Sequence, residues 1–126
     1  MPSSDRTPPG EGNKRERGRR YEQLAAEYFQ HLGFDILEQN WQASHKEIDL
    51  IVGKYDLIVF VEVKAAVSDD YGHPAEKVDR KKIKFLVEAA QRYLVEKKIT
   101  GCDLRFDVVT FYKGRLEHFP DAFGVE

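Results

Sequence analysis

Leu57-Ile-Val-Phe-Val61 runs directly into Glu62-Val63-Lys64, and this junction constrains the fold more than any other stretch of the chain. An unbroken run of β-branched and aromatic residues suits a strand that is covered on both faces. Side chains alternate along a strand, so Glu62 and Lys64 emerge on one side and Val63 on the other. An acid and a base at the end of a buried strand cost desolvation energy unless they pair or bind something. A second strand, Glu47-Ile-Asp-Leu-Ile-Val-Gly53, precedes this one. Alternation there puts Glu47 and Asp49 on one face and Ile48, Leu50 and Val52 on the other. If the two strands form a hairpin, Asp49 sits beside Glu62 at one end of the sheet.

The rest of the chain supplies the remaining layers. Tyr21, Leu24, Ala25, Tyr28 and Leu32 follow the spacing of an amphipathic helix, and Gly33 suits its C-terminal cap. Phe34 to Asn40 reads as a short first strand. Val67 to Pro74 reads as a polar loop, and a long helix then runs from about Asp79 to Lys98. Ile83, Leu86, Val87, Ala90 and Leu94 form its apolar stripe. Leu104 to Tyr112 is a fourth strand, and Lys113-Gly114 is a two-residue turn into a fifth, Arg115 to Phe119. Residues 1 to 18 contain prolines, glycines and almost no large apolar side chain, which predicts a flexible leader before a single domain over 19–126. The predicted class is α/β, a mixed sheet sandwiched by helices.

Charge is distributed unevenly. Residues 1–20 carry six basic and three acidic side chains, residues 35–70 three and eight, and residues 76–98 eight and four. An acidic centre between basic flanks fits an enzyme that holds a divalent cation and acts on a polyanion, although a surface of mixed charge gives the same sums. Lys81, Lys82 and Lys84 are candidates for contact with a phosphate backbone, the alternative being a solvated helix face. No apolar run is long enough to span a bilayer, and no secretory signal opens the chain. The single cysteine, Cys102, fits a reducing cytoplasm, and the four histidines lack zinc-ligand spacing.

Two carboxylates side by side repel unless a cation separates them, and hard oxygen donors select Mg²⁺ or Mn²⁺. Asp49 and Glu62 are therefore the expected ligands, with the Val63 carbonyl as a third donor. Lys64 is placed to orient or help deprotonate a water on that ion and to neutralise charge on a phosphate. Glu22, on the first helix, can reach the same site. The plain alternative is an ion pair between Glu62 and Lys64, with Asp49 capping a turn.

An acid, a spacer and then Glu-x-Lys at the end of a core strand resembles the PD-(D/E)xK superfamily, the fold of restriction endonucleases and archaeal Holliday junction resolvases. Within it the chain looks like the YraN-like proteins, small bacterial relatives. The resemblance runs from about Gly18 to Phe123. It rests on Glu22-x-x-Ala25, Glu47-Ile-Asp-Leu-Ile51, Phe60-Val-Glu-Val-Lys64, Gly72-x-Pro74, Arg105-Phe-Asp-Val-Val109 and His118-x-x-x-Ala122-Phe123. It implies a restriction-endonuclease-like fold, Asp49 and Glu62 as metal ligands, Lys64 as the catalytic lysine and Glu22 as a supporting acid. The implied activity is Mg²⁺-dependent cleavage of DNA, branched or otherwise structured. Symmetric cutting would require a homodimer.

The chain departs from that pattern at Tyr21 and Lys46, where relatives commonly have glycine. It departs again at Ala65-Ala66, where they show a small polar residue and an arginine. These changes favour the alternative of a DNA-binding module with weak turnover or none. A protein-interaction domain using exposed aromatics is a third possibility. Asp107 is expected either to support the site or to be a hydrogen-bonded core acid, and His118 is assigned to structure.

Overall fold

A computed structural model describes residues 14–66 and 80–123. In chain order the elements are α1 (Lys14–His31), β1 (Asp35–Ala43), β2 (Lys46–Lys54), β3 (Leu57–Ala66), α2 (Arg80–Lys97), β4 (Asp103–Tyr112) and β5 (Arg115–Phe119). The strands form one mixed sheet in the order β1-β2-β3-β4-β5. Only β3 and β4 run parallel, joined by the crossover that contains α2. The other neighbours pair antiparallel. The described residues thus form an α/β domain with one helix on each face of the sheet. Among them, no helix is long and apolar enough to cross a membrane. The Val67–Pro74 loop, the Gly72-x-Pro74 motif, Asp79 and residues 1–13 lie outside the described residues.

Each face has its own core. Ala25, Ala26 and Phe29 of α1 pack on Leu50, Val52, Val59, Val61, Val109 and Phe111. Leu86, Ala89, Ala90 and Tyr93 of α2 pack on Ile51, Ile58, Phe60 and Phe106. In both helices the buried face sets alanines beside a few large residues, Phe29 in α1 and Leu86 and Tyr93 in α2. Leu24 and Leu32 are more than a third exposed, while Ala25 and Ala26 are sealed. Small side chains let a helix axis come close to the sheet, and the burial thereby gained outweighs the exposure of two leucines.

α1 begins at Lys14, inside the stretch expected to be a leader up to residue 18. Lys14-Arg-Glu-Arg-Gly18 has no apolar periodicity to announce a helix, yet lysine, arginine and glutamate are good helix formers once later turns are anchored. Strand β1 is also longer than expected and ends at Ala43.

Both helices close with the same pair of backbone bonds. Phe34 N donates to Phe29 O at 3.0 Å and Gly33 N to Gln30 O at 2.9 Å. At the end of α2, Ile99 N donates to Leu94 O at 2.9 Å and Lys98 N to Val95 O at 3.2 Å. The residue that turns left-handed is Gly33 (φ 93°) in the first case and Lys98 (φ 56°) in the second. A side chain there is strained, whereas glycine is not. Lys98 is exposed, so Lys98→Gly should stabilise the protein by about 0.5–1 kcal/mol. Chemical denaturation checks this: the midpoint should rise with an unchanged slope.

Candidate functional site

The site lies where the sheet forks. β2 and β3 pair from Lys54↔Leu57 up to Leu50↔Val61, and the recorded pairing stops there. Beyond it, β2 continues along β1 through Ile48, Glu47 and Lys46, while β3 continues along β4 through Ala66. Asp49 and Glu62 are the next residues on the two strands, one on each branch. The Val63 amide, with no ladder partner on the β2 side, donates instead to Asp49 Oδ2 at 2.9 Å. The hairpin expected from the sequence is present, and it brings the two acids to one point.

Alternation along β2 breaks there. Leu50 and Val52 join the core under α1, but Ile48 joins the core under α2. Strict alternation puts all three on one face. Opposite the break, in β1, Asn40 adopts φ 51°, and the β1–β2 pairing passes over Asn40 and Asp49 between Gln39↔Leu50 and Trp41↔Ile48 without a change of register, the ladder's register shift lying at Ile36/Glu38. A left-handed residue inside a strand twists the ladder locally, as a bulge does. Asp49 sits at that twist.

On β3, Ile58 and Phe60 face α2, and Glu62 and Lys64 continue that row. Glu62 is 6% exposed. Its Oε2 lies 3.2 Å from Lys82 Nζ, on the first turn of α2, and 3.9 Å from Lys64 Nζ. Its Oε1 is buried with no hydrogen-bond partner. Thr110, which pairs in register with Lys64 on the neighbouring β4, has the other orphaned oxygen found among the described residues.

Burial, then the charges of Glu62 and Glu22, push the Asp49 carboxyl up to about 8, against the pull of the Val63 amide and Lys82. Glu22 therefore faces the pair from α1, and its carboxylate accepts a bond from Asn40 Nδ2 at 2.8 Å. Beside it a polar groove of about 470 Å³ is lined by Arg19, Gln23, Gln39, Asn40 and Glu47. Among the described residues, no three acidic, histidine or cysteine side chains stand close enough to hold a metal ion by themselves. The oxygen donors that come together here are the Asp49 and Glu62 carboxylates, with the Val63 carbonyl on the same segment.

Of the three basic helix residues singled out in the sequence, Lys81 and Lys84 are exposed on α2. Lys82 is not on a solvated face; it is the ammonium closest to Glu62. Nothing in the sequence shows this, because it depends on how α2 crosses the sheet.

Asp107, fully buried on the α1 face, belongs to a different network. It accepts from Arg105 Nε and Nη2, each at 2.8 Å, and from the Asp121 amide at 3.0 Å. His118 Nε2 lies 2.7 Å from the same carboxylate, and His118 Nδ1 lies 3.0 Å from Tyr28 Oη. Burial alone would raise the Asp107 carboxyl, but the His118, Arg105 and Asp121 bonds outweigh it and hold the group below its ordinary value. An ionised carboxylate only accepts, so Nε2 carries the proton. His118 is structural, as the sequence suggested. Arg105 was passed over, although opposite charges two residues apart in a strand share a face and signal such a pair.

With this geometry established, comparison with known proteins places the chain. A family model described as "Uncharacterised protein family UPF0102" matches residues 21–111. The chain belongs to the UPF0102 family. A UPF0102 protein of Persephonella marina is 36% identical over 87% of this chain and 95% of its own length. One from Chlorobium chlorochromatii is 42% identical over 88% and 93%, and one from Flavobacterium psychrophilum 41% over 81% and 88%. The UPF0102 match spans Glu22, Asp49, Glu62, Lys64 and Lys82, and stops short of His118.

The two buried acids should respond oppositely to pH. Asp49 is raised from 3.8 to about 8, so folding favours its protonated form. Its contribution is full below about 4 and is lost as pH rises through about 8. In buffer free of divalent metal, Asp49→Asn should therefore raise Tm at pH 8, with a gap that narrows at pH 5. Asp107 is lowered, so its contribution is present above 3.8 and lost as pH falls through its folded value. Asp107→Asn should cost about 3 kcal/mol at pH 7 and progressively less in acid. Thermal melts of both variants across pH decide both signs.

Proposed function

We propose that this UPF0102 protein is a Mg²⁺- or Mn²⁺-dependent endonuclease of the restriction-endonuclease-like, PD-(D/E)xK type, acting on DNA. The observation that carries the proposal is the orphaned, buried Oε1 of Glu62 at the fork beside Asp49. A carboxylate oxygen removed from water without a donor is costly. Here it adjoins a second carboxyl already strained by its acidic neighbours. A hard cation relieves both. The donor set fits Mg²⁺, which takes one or two carboxylates and fills its shell with water and substrate oxygens rather than requiring an all-protein cage.

Asp49 and Glu62 would hold the ion, with the Val63 carbonyl as the third protein donor. When bound, the cation supplies Lewis-acid stabilisation of the phosphate under attack and lowers the pKa of a nearby water. The chain's own residues do the positioning. Val63 N–H fixes the orientation of Asp49. Lys64, at the mouth of the strand with a side chain 23% exposed, can orient the attacking water and offset charge on the phosphate. Glu22, held by Asn40, borders the same mouth and can align a second water. Exposed Lys81 and Lys84 on α2 provide sequence-independent contact with the phosphate backbone. The cytoplasm, and a homodimer if both strands are cut, complete the proposal.

Ala65-Ala66 after Lys64 favours a second reading, a DNA-binding module of the same fold with slow turnover. No guanidinium follows the lysine to grip the phosphate.

Purified protein should cleave some member of a panel of linear, nicked and branched DNA only with Mg²⁺ or Mn²⁺. Lys64→Ala should lower the rate at least about 100-fold, the scale of one lost acid–base group, without altering the melting curve. Salt-sensitive DNA binding that survives while all cleavage is absent would select the binding-module reading. Neither binding nor cleavage would sink both.

A further inference from the structure

Lys82 is the least expected member of the site. A lysine in the first turn of a helix opposes the helix dipole, and the first turn of α2 contains no acid to offset it. The side chain is nonetheless turned into the fold and 30% exposed, with its ammonium 3.2 Å from Glu62 Oε2. Lys64, on the same strand as Glu62, lies farther away at 3.9 Å. Lys82 is also the lysine whose charge acts on Asp49. An ammonium from the opposite layer is thus paired with Glu62 at the place where the proposed function puts a divalent ion. It satisfies one oxygen of Glu62 and leaves the other bare.

We propose that Lys82 is a built-in counter-ion that occupies the cation's place and is displaced when a divalent ion binds, which frees its ammonium for the phosphate backbone. This rests on the proposed metal site and deepens it by coupling metal loading to grip on DNA. The physical basis is competition. Two cations cannot both neutralise one carboxylate pair at close range without repelling each other. Holding Glu62 with a lysine also keeps the acid from being buried unpaired in the metal-free protein, which would be strongly destabilising. Once released, the side chain starts from the helix turn next to exposed Lys81 and Lys84, which face solvent on the same helix. Lys82 is thus a positioning residue whose two states are Glu62-bound and phosphate-bound.

The test uses the full chain as wild type, Lys82→Met, Lys82→Arg and Asp49→Ala. Mn²⁺ titrations without DNA are followed by electron paramagnetic resonance. Removal of the competing ammonium in Lys82→Met should tighten Mn²⁺ about 5- to 10-fold, and Lys82→Arg should stay near wild type. Equal or weaker Mn²⁺ binding by Lys82→Met overturns the inference. A second measurement covers a variant that folds poorly. DNA binding by wild type and Lys82→Arg is measured against salt, with and without Ca²⁺ in place of the catalytic ion. For wild type, Ca²⁺ should add about one phosphate contact to the salt slope, a change of roughly 0.9. Lys82→Arg should keep that gain. Wild type showing no such gain also overturns the inference. If wild type binds Mn²⁺ and Asp49→Ala does not, yet Lys82 has no effect, only the counter-ion role falls. If wild type binds no Mn²⁺, the metal site and the counter-ion fall together.

Discussion

The bond from the Val63 amide to Asp49 holds the point at which β2 and β3 part. A sheet that forks must leave backbone groups unpaired along both inner edges, and a buried amide without a partner is costly. Here a side-chain carboxylate takes over the role of the missing strand. This one contact closes the ladder above Leu50↔Val61 and fixes Asp49 at the mouth of the fork. β3 meanwhile stays paired with β4 along its whole length, from Leu57↔Asp103 to Ala66↔Tyr112. Glu62 and Lys64, continuing the row of Ile58 and Phe60, lie on the α2 face beside the fork. Without the fork, the same residues would lie in a continuous ladder with no opening between strands for a ligand.

Much of this was legible in the sequence because apolar periodicity reports layers. The Leu57–Val61 run, the stripe of α2 and the Arg105–Val109 segment are dictated by burial, and burial is written into hydrophobicity. The acid–base ending of β3 was legible for the converse reason, since charge at the end of a buried strand is improbable without a purpose. What escaped reading was set by geometry that no pattern encodes. The side taken by Ile48 depends on a left-handed Asn40 in the neighbouring strand. The early start of α1 lies in residues with no apolar face. The position of Lys82 depends on how a helix some twenty residues downstream crosses the sheet. The alanines sealed on both helices, beside exposed Leu24 and Leu32, show a further limit. Periodicity locates the buried side to within about one residue, but the tightness of packing decides which neighbour is sealed.

Family membership and the site geometry are independent of each other. The UPF0102 match runs from Tyr21 in α1 through most of β4, and so includes every residue of the fork. It says nothing of activity. What points to chemistry is the unequal treatment of two buried acids in one sheet.

Asp107 and Glu62 stand on adjacent parallel strands, on opposite faces, both with almost no exposure. Asp107 is surrounded by two guanidinium bonds, an imidazole and a backbone amide, and its carboxyl is held low. That is how a protein treats a buried charge it needs only for structure: every lone pair is answered and the network is rigid. Glu62 has one ammonium at 3.2 Å, another at 3.9 Å and an oxygen with nothing. The fold could answer that oxygen, as it does for Asp107 a few ångströms of backbone away, so local chemistry was not the obstacle. A protein that fills one such demand and leaves the other open concentrates its strain where a ligand can relieve it, and sites of this kind are where structural rules and function part. Under the proposed function, the fork, the Glu62-bound ammonium of Lys82 and the crowded carboxyls share one explanation: a small, hard cation would sit between the acids and hold the phosphate.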